Sequence, residues 1–84
     1  IPHMGFNNIY VIRKSPLLNG IEDECFYFMH SYEVINFTDI VALTEYSGHK
    51  FPSCIQKENI YGVQFHPEKS REAGIELFRN FINL

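Results

Sequence analysis

The chain has 84 residues, of which 45% are hydrophobic and 15% aromatic, with a formal net charge of −3. A unit of that length is at most one domain and buries roughly 60–65% of its surface. The acidic balance, with no basic run or stripe, argues against nucleic acid as a main partner, and no apolar run approaches the roughly 18 residues of a membrane span.

Eight Phe and five Tyr are many for so short a chain. Together with a sequence that opens at Ile1 with no initiator Met and stops just after an apolar helix, they predict a piece of a larger domain. Cys25 and Cys54 have no CxxC spacing and are too few for a disulfide framework, so the expected compartment is the reducing cytoplasm.

In chain order, Asn8 to Lys14 (NIYVIRK) mixes Ile, Tyr and Val as a strand does. Cys25 to Tyr32 (CFYFMHSY) is almost continuously apolar, which predicts a strand buried on both faces. Ile40 to Tyr46 and Phe51 to Lys57 flank Ser47-Gly48-His49, a hairpin loop by composition, and Glu58-Asn59 makes a tight turn before Ile60 to Phe65. The period then changes. Gly74, Leu77, Phe78 and Phe81 recur at helical spacing, and Ile75 and Ile82 widen the stripe into the core face of a closing helix. Ser70 stands where an N-cap belongs, and Glu72 adds favourable charge to the first turn.

Between the last strand and that helix lies His66-Pro67-Glu68. If strand geometry persists through it, His66 and Glu68 project to one side, with Cβ atoms roughly 6–7 Å apart. The carboxylate could then accept the imidazole Nδ1–H and leave Nε2 free to take a proton from a thiol or hydroxyl. Pro67 locks its own φ and biases His66 towards extended backbone. On these three residues alone the favoured reading is a capped strand end, with Glu68 near the start of the helix. A metal site of His66, Glu68 and either His30 or His49 would have two ligands plus scattered histidines, fewer than zinc requires. Ser31 and Ser53 have no elbow-like setting for nucleophilic serine chemistry.

The run GVQFHPEKS followed by AGIELFRNFI resembles the C-terminal signature of class I (triad-type) glutamine amidotransferases. IPHMGFNNI, YFMHSYEV and TEYSGHKFPSCIQKENIYGVQFHPEKS, in that order, are similar to the branch of glutaminase subunits serving imidazole glycerol phosphate synthase. The resemblance implies a three-layer, flavodoxin-like α/β domain. Residues 1–84 would supply its β-rich C-terminal portion and last helix, and an absent N-terminal half would carry the nucleophile. It further implies glutamine hydrolysis for histidine biosynthesis through a Cys-His-Glu triad. In that triad His66 is the general base and acid, Glu68 its orienting carboxylate, and no cofactor or metal takes part. His30, Ser31 and Tyr32 match the segment that lines the glutamine pocket. Met4, Phe6, Asn7 and Lys69 match positions facing a (β/α)₈ cyclase-type synthase subunit, with Phe where the family has Trp at position 6. Read by themselves, His30 and Tyr32 are core residues and Lys69 is a solvated charge.

The family's cysteine sits on a Gly-x-Cys-x-Gly turn, and no such turn occurs here. Cys25 and Cys54 lack flanking glycines and read as small hydrophobes in strands. The 84 residues alone are therefore expected to be inactive towards glutamine and, with sheet edges and aromatic faces uncovered, poorly soluble. Two competing expectations are a noncatalytic β-rich interaction module and a paralogue delivering ammonia to another synthase, such as one making surface sugars.

Overall fold

Two antiparallel sheets organise the computed structural model, which describes residues 3–30 and 39–84. The smaller pairs β1 (His3–Asn8) with β3 (Cys25–His30), setting Phe6 opposite Tyr27 and Asn8 opposite Cys25. The larger has the order β2-β4-β5-β6, built from Tyr10–Val11, Ile40–Tyr46, His49–Lys57 and Ile60–Val63. One helix, α1 (Arg71–Ile82), follows. A sheet-rich unit closing with a single helix is what the α/β expectation required of this portion.

The first strand expected, over residues 8–14, is in fact two strands in different sheets. Ile9, fully buried, lies between them and donates its N–H to the Glu24 carbonyl at 3.3 Å. The Thr44 hydroxyl donates to the Asn8 carbonyl at 2.9 Å, and the Asn7 amide donates to the Glu45 carbonyl at 3.1 Å, so β1 leans on β4 as the chain changes sheet. β2 is short because Ile12 and Arg13 both donate to the Val41 carbonyl, at 2.7 and 3.2 Å. Two donors on one acceptor place an extra residue in the strand and end regular pairing.

The two hairpins follow turn chemistry. β4 and β5 are joined by Ser47-Gly48 alone, with φ of 53° and 75°, and His49, expected in the loop, pairs with Tyr46. Positive φ at both central residues matches the right-handed twist of the flanking strands. Glu58-Asn59 joins β5 to β6 beneath the Lys57–Ile60 pair, as expected from composition.

β3 alternates rather than being buried on both faces: Cys25 is exposed, Phe26 buried, Tyr27 half-buried and Phe28 buried. The buried rings form the centre of the core. Phe26 lies 4.2 Å from Phe65, and Phe28 meets Phe51 and Phe65 edge-on at 5.8 and 5.9 Å. Phe65 immediately precedes His66, so aromatic burial anchors the chain one residue before the His-Pro-Glu corner.

α1 departs from its expected orientation. Ala73, Gly74 and Leu77 are its buried residues, and Asn80 donates to the carbonyls of Leu17 and Asn19, both at 2.9 Å. Those carbonyls belong to and follow the 3-10 turn Pro16–Leu18, where Leu17 and Leu18 enter the core. Ile75, Phe78, Phe81 and Ile82, expected to face the core, are exposed. The helix packs inward along this narrow stripe because the Pro67 carbonyl lies against Gly74, too close for any larger side chain there. Ser70 precedes the helix but makes no side-chain capping bond.

Candidate active site

β6 ends at Val63, and the chain touches β3 once more before turning: His66 forms an isolated antiparallel bridge with Tyr27, donating its N–H to the Tyr27 carbonyl at 2.8 Å. Pro67 requires extended backbone at the preceding residue, and His66 has φ −104° and ψ 99°. Pro67–Lys69 then form a 3-10 turn, closed by Lys69 N–H to the His66 carbonyl (3.1 Å) and Ser70 N–H to the Pro67 carbonyl (3.0 Å). Proline suits this place because its missing N–H would have no partner in the first turn.

The turn brings the pair together. His66 Nδ1 lies 2.9 Å from Glu68 Oε2, with both side chains partly open to solvent. The contact predicted from strand alternation exists, but the mechanism differs: the chain curls at Pro67 and Glu68 folds back on the ring. The His66 hydrogen bond, then the residue's own backbone N–H and the nearby charges of His66 and Lys69, hold the Glu68 carboxyl below its usual range. A depressed carboxylate contributes stability above its unfolded value, near 4.3, and loses it as pH falls through the folded value. Glu68 is thus ionised at neutral pH and can only accept. Nδ1 therefore carries the proton it donates, and Nε2 of the neutral ring presents a lone pair. That is a base with a fixed tautomer and a carboxylate ready to stabilise the imidazolium.

The remaining candidates are distributed differently. His30 is the last residue of β3; its side chain, Ser31 and Tyr32 lie outside the described residues. Met4 and Phe6, two apart on β1, share a face and are exposed. Phe6 meets the Tyr27 ring edge-on at 5.4 Å and lies under the Arg71 guanidinium, 4.7 Å from the ring centre. Asn7 is on the opposite face, where its amide donates to Glu45 and its oxygen accepts from Asn8 N–H at 3.0 Å. Its side chain serves the join between the sheets, which sets it apart from Met4 and Phe6. Lys69 is exposed on the turn, two residues before Arg71.

Neither cysteine has a nucleophile's setting. Cys25, expected to be a buried hydrophobe, is exposed at the start of an extended strand. Cys54 is buried, and burial pushes its thiol up to about 11, which keeps it protonated at neutral pH. Ser53 is buried, and its hydroxyl has no hydrogen-bond partner among the described residues, so no base activates it there. Among the described residues no three His, Cys, Asp or Glu side chains gather as a metal site.

Sequence reasoning missed Tyr27, whose backbone grips His66, and Arg71, which enters α1 with φ +58° and covers Phe6. Tyr27 belonged to a recognised strand, but nothing local marks its partner across the fold.

The family model for class-I glutamine amidotransferases matches residues 1–84. The chain is 47% identical over 85 residues to "Imidazole glycerol phosphate synthase subunit HisH" of Methanothermobacter thermautotrophicus, covering all of this chain and 42% of that protein. The proteins of the same name from Methanocaldococcus jannaschii and Blochmanniella floridana are 46% and 51% identical over 86 residues, with all of this chain and 43% of each relative covered. The chain thus spans about four-tenths of the length of these curated relatives. The chain belongs to the class-I glutamine amidotransferase family.

Proposed function

We propose that residues 1–84 are the C-terminal portion of a glutaminase domain and carry the acid–base half of its active site. The observation behind this reading is the 2.9 Å contact between His66 Nδ1 and Glu68 Oε2 at the end of the sheet, in a chain of this family. The nucleophile is a cysteine of a segment outside these residues, on a glycine-flanked turn.

The chemistry balances with these groups and water. His66 Nε2 takes the thiol proton, and the thiolate attacks the glutamine carboxamide carbon. The C–N bond breaks as ammonia leaves with the proton from His66, giving a thioester. Water then attacks the thioester while His66 accepts its proton, and glutamate departs as the thiol is restored. Glu68 keeps the ring in one tautomer and stabilises each imidazolium. His30, Ser31 and Tyr32 line the glutamine pocket, where Ser31 and Tyr32 help hold the amino-acid end of the substrate.

The relatives' shared name supports delivery of the ammonia to an imidazole glycerol phosphate synthase, hence a role in histidine biosynthesis in the cytoplasm. The partner is a (β/α)₈ synthase subunit docked on Met4, Phe6 and Lys69. The exposed Ile75, Phe78 and Ile82 on α1 are the face against which the rest of the glutaminase domain packs.

Ammonia release from glutamine, measured on the full-length protein with and without the synthase subunit, tests the reading. Release that rises when the subunit is added is expected. No release in either condition would overturn it in favour of a noncatalytic module, and release coupled only to a different synthase would reassign the acceptor.

A further inference from the structure

We propose that Ser70 is a positioning residue for the general base, its hydroxyl inserted into the backbone ladder between Tyr27 and His66. In a hydrogen-bonded antiparallel pair, two facing residues exchange both N–H···O bonds. Here one is direct, from His66 N–H to the Tyr27 carbonyl at 2.8 Å. The return bond is not. Tyr27 N–H donates to Ser70 Oγ at 2.9 Å, and the Ser70 hydroxyl donates to the His66 carbonyl at 2.6 Å.

One oxygen between donor and acceptor opens the pair on that side by about the length of a hydrogen bond. The His66 carbonyl swings off β3, strand pairing ends, and the turn at Pro67 begins. The same carbonyl also accepts from Lys69 N–H at 3.1 Å, so two donors fix the peptide after His66. That fixes the direction in which the imidazole leaves the backbone, and with it the reach of Nδ1 to Glu68.

Helix capping does not account for the hydroxyl, because Ser70 makes no side-chain cap to α1. Its only proton goes to His66, and at 2% exposure water has no ready access to replace it. With Ser70→Ala, Tyr27 N–H and the His66 carbonyl either close directly or stay unpaired, and both outcomes move the ring. Displacements near 1 Å at a reacting group reduce rates by about 10²-fold.

The inference rests on the glutaminase reading, and its test separates the two. In the full-length protein assembled with its synthase subunit, Ser70→Ala should lower kcat for ammonia release by about 10- to 100-fold while KM stays within about threefold. The His66 Nδ1–H proton resonance, followed by NMR at neutral pH, should shift or be lost to exchange. Ser70→Cys, close in volume and a weaker donor, should fall between wild type and alanine in both readouts; it decides the matter if the alanine variant does not fold. Unchanged kcat and an unchanged imidazole resonance would overturn the proposal, as would a rate loss matched by loss of folded protein alone. If the unsubstituted protein releases no ammonia, the glutaminase reading fails while the resonance comparison still decides the role of Ser70.

Discussion

Replacing Gly74 by alanine should destabilise the full-length protein by about 3 kcal/mol and lower its glutaminase kcat by about 10²-fold. Helix propensity alone gives the opposite sign, since alanine is favoured over glycine inside a helix by about 1 kcal/mol. The contact decides. A Cβ at position 74 would lie 1.9 Å from the Pro67 carbonyl oxygen, whereas real Cβ atoms stay at least 3.0 Å from their neighbours. The obstacle is backbone, so no side-chain rotation relieves it. Either α1 lifts from the 3-10 turn, uncovering Ala73 and Leu77, or the turn moves and takes His66 and Glu68 with it. Thermal unfolding and steady-state kinetics on the variant distinguish the two. A variant as stable and active as wild type would show that α1 and the turn are not in this contact.

Glu68→Gln should cost about 10²- to 10⁴-fold in kcat with little change in KM, since the lost interaction forms fully only as His66 becomes charged. The amide keeps the shape of the carboxylate and can still accept from Nδ1–H, but it supplies no charge to balance the imidazolium. Stability should barely move, because solvent screens an ion pair this exposed. The combination of a large kinetic and a small thermal effect separates Glu68 from Gly74. Retention of most of the wild-type kcat by Glu68→Gln would remove the carboxylate from the mechanism.

Local chemistry made several elements legible. β4 and β6 and both hairpins follow from apolar runs punctuated by Ser47-Gly48 and Glu58-Asn59. Most of β1 escaped notice because Gly5 and Asn7 are poor strand formers in isolation; cross-strand pairing with β3 decides their conformation. The stripe on α1 was visible, but its burial was not. Gly74 brings the helix onto the Pro67 turn by one edge, and this leaves Phe78, Phe81 and Ile82 exposed.

At the site, the identities of His66 and Glu68 were readable and their geometry was not. A strand through His-Pro-Glu would have left them on one face with Cβ atoms roughly 6–7 Å apart, whereas the 3-10 turn folds Glu68 back onto the ring. Ser70 looked like a cap because caps are local, yet its hydroxyl bonds a strand 43 residues earlier in the chain. Asn7, matched to an interface by resemblance alone, has a further tie that its sequence neighbours do not reveal, to a carbonyl 38 residues away in the other sheet. In each case the missing information is which distant backbone group becomes a neighbour.

Covalent labelling by a glutamine-derived electrophile, mapped by peptide mass spectrometry on the full-length protein with its synthase subunit, tests the central claim most directly. One adduct is expected, on a cysteine outside residues 1–84, and His66→Asn should abolish it because the thiolate is then no longer generated. An adduct on Cys25 or Cys54, or labelling as fast in His66→Asn as in wild type, would contradict the account.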